Sequence, residues 1–396
     1  MLEYSIKKLA NNLTVFIVNT KKLSSLDITL YIKVGSVYEN EKNNGVSHLL
    51  EHLLFLKTKR PNLHPVALDI YPYTRKDFTY FEITTHKKLA REALSALLPV
   101  ILSPNFTKAN LKSIKKIVAE EMSDFYDNPN YILNQEIDRF LYKKTSLAFS
   151  VAGNKKSINN ITIKDLKEWY KKYYAPSNMI LTLVGDIDIS KTIKQINNAF
   201  HFQKSQSETK KITDQIVYPK INTQPIKLRK TNFQKSYLAF VFPVSGVNGP
   251  NYIYYVFLAE ILNRKIRQKL ENSGLFYDIQ LYFHCYLNAG EFRVITACDK
   301  SNVNKIIKEF NTLYNAIKIS NPYFRDMKDY IKCQFLLKKD NVDELSSLSL
   351  YLLAGNPKII TLDDEIRKIE SINLDKIKKI KNKIFNVKNC YTFIMN

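Results

Sequence analysis

Glycine and cysteine are both scarce in this chain of 396 residues, and each scarcity excludes a class of function. The chain has nine glycines and no glycine-rich loop that could surround a phosphate, so we expect no dependence on nucleotides. The four cysteines are irregularly spaced and form no C-x-x-C pair, which favours free buried thiols in a reducing compartment over a disulfide framework.

Long apolar runs and an export signal are also missing. No uninterrupted apolar stretch is long enough to cross a bilayer. The N-terminal segment MLEYSIKKLANNLTVFIV lacks the charged-then-apolar layout with a small-residue cleavage site that typifies a signal peptide. We therefore expect a cytoplasmic protein without a membrane span.

Acidic residues are far fewer than basic ones, 37 against 60, so the formal net charge is +23. Such an excess is typical of proteins that bind nucleic acids, anionic lipids or acidic substrates. However, the lysines are scattered, and no dense basic block has interleaved aromatic residues. We expect no nucleic-acid partner; the alternative rests on charge alone and predicts binding that weakens steeply with salt.

Apolar residues make up 45% of the chain and are spread over its whole length, which indicates a globular protein. Strand-like and helix-like segments follow one another in a similar order before and after a polar segment at 203–214. We predict an α+β protein with two halves related by duplication, at 1–202 and 215–396, joined by a linker at 203–214.

The sharpest motif is His48-Leu49-Leu50-Glu51-His52, in a segment that reads as a helix from about residue 44. Residues three and four apart share one face of a helix, so His48, Glu51 and His52 lie together. Two imidazoles one turn apart can hold one metal ion, and the H-x-x-E-H order is the signature of inverted zinc peptidases. Glu51 would then lie beside a water on the metal and take its proton.

A catalytic zinc needs a third protein ligand and one open position. Two adjacent carboxylates downstream, Glu120 and Glu121, are the candidates. The buried face of their helix is marked by Ile114, Ile117, Val118 and Phe125. Glu121 falls on that face, three residues after Val118, whereas Glu120 does not. We therefore predict Glu121 as the third ligand; the alternative is that it forms an ordinary salt bridge.

These motifs resemble those of a known family. The segment GSVYENEKNNGVSHLLEHLLFLKT at 35–58 is similar to the active-site segment of the M16 (pitrilysin-type) zinc metallopeptidases, and 114–122 is similar to their third-ligand helix. The stretch at 165–188 resembles the end of the family's first half, and 263–279 resembles a helix and loop of its second half. The resemblance covers nearly the whole chain.

The resemblance implies a clam-shell fold in which each half is a largely antiparallel sheet packed with helices. It implies an endopeptidase that holds Zn²⁺ and cleaves peptides or unfolded segments, bound in extended form along a sheet edge. Two chains, or two fused copies, would enclose a chamber. By the same resemblance, Tyr277 would contact the substrate or its carbonyl.

Three positions depart from the family's pattern. An Arg usually stands seven residues before the position of Tyr277, but this chain has Leu270 there; either Arg267 substitutes for it or another chain supplies the group. A Glu that usually stands seven residues before the third ligand is replaced by Ile114, which predicts weaker support of the metal ligands. Tyr71 stands where the substrate-binding strand usually has Asn.

These departures leave two assemblies open. Some members of the family are heterodimers in which one subunit supplies zinc and its paralogue supplies the Arg/Tyr pair. This chain has the zinc set and an incomplete pair, so it resembles the zinc-bearing subunit; the alternative is a homodimer with a divergent pocket. We predict a zinc endopeptidase, with maturation of a small precursor peptide as a candidate role, and the rival interpretation is a non-catalytic or partner-dependent subunit.

Overall fold

The structure is a computed structural model. It describes residues 2–56, 69–199, 216–222, 224–228, 233–270, 274–275, 277–355 and 359–396. By contacts between residues, the chain divides into two compact units, formed by 1–124, 149–212 and 336–362 and by 125–148, 213–335 and 363–396. Among the described residues, no helix is both long and apolar enough to span a membrane.

Six described strands form the sheet of the first unit, in the order β1-β2-β6-β3-β5-β4. Neighbouring strands are antiparallel except β2 and β6, which run parallel. The strands are β1 Glu3–Lys8, β2 Thr14–Asn19, β3 Ser25–Ile32, β4 Tyr71–Thr74, β5 Thr79–His86 and β6 Met179–Gly185.

The first unit also contains the helices that surround this sheet. They are α1 Val46–Leu56, α2 Ala90–Leu102, α3 Lys108–Asp127, α5 Lys155–Asn160, α6 Ile163–Tyr173, α7 Ile189–Ala199, α11 Val342–Ser346 and α12 Leu350–Leu353. Helix α3 begins in this unit and ends a few residues beyond it. Helix α1 packs against β4, α6 and α2, so the predicted metal helix lies beside the last strand of the sheet.

Both faces of strand β3 are buried, for different reasons. Ile28, Leu30 and Ile32 alternate along the strand, so they lie on one face, and all three are completely buried. The opposite face carries Thr29, which accepts a hydrogen bond from the hydroxyl of Ser346 on α11. A short helix from late in the chain therefore covers the polar face of the first sheet.

The second unit repeats this arrangement. Its described strands are ordered β7-β11-β8-β10-β9, with β7 and β11 parallel and the other pairs antiparallel. The strands are β7 Ile226–Lys227, β8 Ser236–Val244, β9 Asp278–Cys285, β10 Gly290–Cys298 and β11 Tyr391–Met395. Its helices are α4 Pro129–Leu141, α8 Tyr252–Leu270, α9 Val303–Ala316, α10 Asn321–Leu337, α13 Leu362–Glu370 and α14 Leu374–Ile384.

Without β1, the strands of both sheets follow the same order: first, fifth, second, fourth, third along the chain. The parallel pair joins the first and last strands in each case. The predicted α+β class with two duplicated, largely antiparallel halves is confirmed. The predicted linker at 203–214 lies outside the described residues, so the boundaries of the halves remain a prediction.

Candidate metal centre

Helix α1 forms because its leucines repeat at helical spacing. Leu49, Leu50, Leu53 and Leu54 are completely buried and anchor one side of the helix in the core. His48 and His52 lie one turn apart on the other side and are partly buried. The burial of four leucines therefore fixes the direction in which the imidazoles point.

The start of α1 is held by a carboxylate from the preceding loop. Glu39 is buried and accepts hydrogen bonds from the amides of Gly45 and Ser47, at 2.6 and 2.9 Å, and from the side chain of Asn44 at 2.8 Å. Gly45 adopts φ +94°, a left-handed conformation that other residues reach only with strain. Together these contacts satisfy the free amides of the first turn and place a negative charge where the helix dipole favours it.

We expect Glu39→Ala to lower the free energy of unfolding by about 3 kcal/mol, because three buried donors lose their acceptor. Urea denaturation monitored by circular dichroism measures this change. Glu41→Ala is the matched control, since Glu41 is exposed in the same loop. Equal denaturation midpoints for the two variants would show that Glu39 does not anchor α1.

The structure brings His48, His52 and Glu121 together. The Nε2 atoms of the two histidines are 3.2 Å apart, and Oε2 of Glu121 lies 3.3 Å from Nε2 of His52 and 3.6 Å from Nε2 of His48. Glu121 comes from α3, about seventy residues along the chain from α1. Three ligand atoms from two helices thus form a nearly equilateral triangle.

This triangle fits zinc. Bonds of about 2.0–2.2 Å in a tetrahedral arrangement place the ligand atoms about 3.3–3.5 Å from one another. Two imidazole nitrogens that face each other at 3.2 Å cannot both carry a proton, so the pair needs a shared proton or a cation. The side chain of Glu121 is 35% exposed, which leaves the cluster open to solvent on that side. The donor set and its spacing match a catalytic zinc site of the His₂Glu type.

The charges of the three groups are set by one another. Burial, with a smaller contribution from the charge of His52, lowers the pKa of His48 to about 4. Burial also acts to lower the pKa of His52, but the hydrogen bond with Glu121 and nearby negative charge raise it above its usual value. The same hydrogen bond lowers the pKa of Glu121. At neutral pH His48 is therefore a neutral imidazole, the form that binds metals.

Glu51 is held close to the end of strand β4. Its carboxylate is buried and accepts a hydrogen bond from the hydroxyl of Thr74 at 2.8 Å. Burial raises the pKa of Glu51 to about 6, although the charge of His52 and hydrogen bonds from the hydroxyl and the amide of Thr74 lower it. A carboxylate with a pKa in this range is suited to accept a proton near neutral pH.

The remaining predicted residues have other surroundings. Tyr277 lies in the second unit, is 58% exposed, and donates its hydroxyl to Asp299 at 3.0 Å. Leu270, at the position where the family has Arg, is buried in the apolar core of that unit. Arg267 is exposed; burial raises the pKa of Tyr282, and the charge of Arg267 partly opposes that rise. The predicted substrate contact of Tyr277, and the predicted substitution of Arg267 for the family's Arg, therefore stay predictions.

Sequence reasoning missed Glu39 and Thr74 as supports of the site. Glu39 lies six residues before Gly45, too far for the usual capping pattern, in which the side chain contacts an amide two or three residues later. No local pattern marks Thr74, because its contact with Glu51 joins residues 23 apart. Ile114, at the position where the resemblance implies a Glu, is completely buried.

Comparisons with known proteins agree on one family. The family description "Insulinase (Peptidase family M16)" matches residues 14–155, and "Peptidase M16 inactive domain" matches residues 160–322. A Bacillus subtilis protein named "Uncharacterized zinc protease YmxG" is 22% identical over 392 residues, which cover 95% of this chain and 94% of that protein. The mitochondrial-processing peptidase subunit beta of Bos taurus is 22% identical over 90% of this chain and 77% of its own length.

A solved structure shares the fold. The crystal structure of a protease from Helicobacter pylori superposes with a TM-score of 0.88 at 19% identity and covers all of both chains. The arrangement of strands and helices is thus that of a two-domain peptidase fold. With both family descriptions matched in order along its length, the chain belongs to the M16 family of peptidases.

Proposed function

We propose that this chain is a zinc-dependent endopeptidase. The observation that carries the proposal is the triangle of Nε2 of His48, Nε2 of His52 and Oε2 of Glu121, with edges of 3.2, 3.3 and 3.6 Å. A salt bridge between Glu121 and one histidine would not require the Nε2 atom of the other histidine to lie at a similar distance from the carboxylate. The spacing favours a shared cation at the centre of the three groups.

The proposal assigns three roles to five residues: metal ligand, proton acceptor and support of the proton acceptor. His48, His52 and Glu121 hold the metal. A zinc ion held by these residues would supply Lewis-acid chemistry at the scissile carbonyl and would lower the pKa of the attacking water towards neutrality. Glu51 accepts the proton that this water gives up, and later donates it to the leaving amine. The hydroxyl of Thr74, at 2.8 Å, fixes the rotamer of Glu51 during both transfers.

The substrates are peptides or unfolded segments, and maturation of a precursor peptide is the specific role that we infer. The names of two kinds of relatives support this: zinc protease and mitochondrial-processing peptidase subunit beta. Neither name identifies the substrate of this chain. A cytoplasmic location stays a prediction from the sequence.

We infer that the working enzyme is a dimer, with a paralogous subunit as the favoured partner. Leu270 is buried where the family has a substrate-binding Arg, so this chain lacks one half of the Arg/Tyr pair. A paralogue could supply the complete pair, as the name "subunit beta" of one relative suggests for that protein. A homodimer in which Arg267 or another residue takes over the role is the alternative.

A cleavage assay with the purified chain tests the proposal. We expect cleavage of some members of a set of quenched-fluorescent random decapeptides, loss of this activity after dialysis against a chelator, and recovery when one equivalent of zinc is added. The assay is run with the chain alone and with a paralogous chain encoded nearby. Full activity of the chain alone would argue against an obligate partner.

The rival function is a non-catalytic subunit that keeps the fold. Leu270 and the description "inactive domain" for the second half favour it, whereas the intact Glu51 and its hydrogen bond to Thr74 favour the enzyme. A chain that binds zinc stoichiometrically but cleaves no peptide, alone or with its partner, would establish the rival.

A further inference from the structure

Strand β4 is the last strand in the order of the first sheet, at its edge, and it contains a proline. Among the described strands it pairs only with β5, and its sequence is Tyr71-Pro72-Tyr73-Thr74. Proline has no amide hydrogen, so inside a sheet it is tolerated only where its nitrogen faces away from a neighbouring strand. The location of Pro72 therefore indicates which way the backbone of β4 is turned.

The hydrogen bonds of the hairpin give the same orientation independently. In an antiparallel pair, hydrogen-bonded and non-bonded residue pairs alternate. The amide of Arg75 donates to the carbonyl of Phe78 at 2.7 Å, which makes these two a bonded pair at the turn after β4. Counting back along the strand, Thr74 and Pro72 occupy non-bonded positions, and their main-chain groups point away from β5.

Pro72 offers no hydrogen-bond donor to a strand that pairs with this edge. It has no amide hydrogen, and Thr74, the next residue that faces this edge, is buried and donates its hydroxyl to the carboxylate of Glu51 at 2.8 Å. The carbonyl oxygen of Pro72 still points outward. Thr74 thus contacts Glu51 at one end of the edge, and Pro72, two residues earlier in the strand, presents a carbonyl acceptor without an amide donor.

We propose that Pro72 makes the edge of β4 acceptor-only at its own position, close to Glu51, and that Pro72 determines substrate specificity there. This rests on the proposed function, since the molecule that pairs with this edge is the extended peptide substrate. A peptide that pairs with this edge donates a main-chain amide hydrogen to the carbonyl of Pro72, and its own carbonyl opposite Pro72 receives no hydrogen bond from β4. The chain therefore selects for an amide hydrogen at one substrate position and binds peptides more weakly than an edge with two hydrogen bonds would.

Pro72→Ala tests this by restoring the missing donor. We expect KM for the best random decapeptide to fall about three- to tenfold, the effect of one added hydrogen bond, while kcat is unchanged. Pro250→Ala is the matched control, because Pro250 is exposed in the second unit and the substitution changes the same residue type. An unchanged or higher KM in folded Pro72→Ala, with the control at the wild-type value, would overturn the proposal.

A second measurement does not depend on this variant or on turnover. N-methyl groups are introduced one at a time along the decapeptide, outside the scissile bond, and binding to Glu51→Gln is measured by titration calorimetry. We expect one position at which methylation weakens binding at least tenfold, with little effect at the two adjacent positions, whose amides face away. Equal tolerance at all positions would refute the acceptor edge. Absence of cleavage by the wild-type chain, with this binding pattern intact, would instead refute only the proposed activity.

Discussion

Glu51→Gln is expected to lower kcat/KM for peptide cleavage by about 10²- to 10⁴-fold while the chain keeps its zinc. Glutamine has the shape of glutamate and still offers an oxygen to the hydroxyl of Thr74, so the rotamer is retained. What it cannot do is accept the proton of the attacking water. Zinc is held by His48, His52 and Glu121 in the proposal, and none of these is changed.

The measurement is a pair of assays on the same preparation: initial rates with the best random decapeptide, and zinc content by atomic absorption. Thr74→Ser provides a comparison, because serine keeps the hydroxyl that contacts Glu51 and should keep most of the activity. Turnover of Glu51→Gln within tenfold of the wild type, at equal zinc content, would remove Glu51 from the reaction.

Glu121→Ala is expected to weaken zinc binding more than 100-fold and to abolish cleavage, because it removes one of three protein ligands. The neighbouring residue is an unusually close control. Glu120 is on the same helix, but its side chain is 67% exposed and lies 3.7 Å from Lys116 on the solvent side. Glu120→Ala removes the same charge from the same helix and should leave zinc binding within twofold of the wild type.

Competition with a zinc-sensitive chelating dye gives both dissociation constants. The stability of the two variants is compared by urea denaturation, so that a loss of zinc is not mistaken for a loss of fold. Equal zinc affinities for Glu121→Ala and Glu120→Ala would show that the carboxylate near the histidines is a salt-bridge partner and not a ligand.

The ligand triad was the part of the site that the sequence predicts best, and the reason is periodicity. His48 and His52 are four residues apart on a helix whose leucines define its buried side. Glu121 was chosen over Glu120 because it shares a face with Ile114 and Val118, both of which are completely buried. The structure brings these three side chains within 3.6 Å of one another, although their role as ligands stays a prediction.

The supports of the site depend on contacts that helical or strand periodicity does not encode. Thr74 reaches Glu51 because β4 pairs with β5 in one register and α1 packs beside β4. Nothing in the sequence near Thr74 distinguishes it from other threonines of exposed strands. The same limit applies to α11, which packs against β3 and β6 from more than 150 residues further along the chain.

The duplication is clearer in the fold than in the sequence. The two sheets share their strand order, including the parallel pair of first and last strands, although the sequence similarity of the halves is weak. Strand order is set by which apolar faces pack together, and many sequences satisfy the same packing. The start of helix α4 is marked locally, by the capping residue Asn128 followed by Pro129 at the first helical position.

The central claim is that His48, His52 and Glu121 bind one zinc ion, and X-ray absorption at the zinc edge tests it most directly. The chain loaded with one equivalent of zinc should show two imidazole ligands at about 2.0–2.1 Å together with carboxylate oxygen, and Glu121→Ala should lose the carboxylate contribution. A spectrum without imidazole scattering, or a chain that retains no zinc after gel filtration, would contradict the claim.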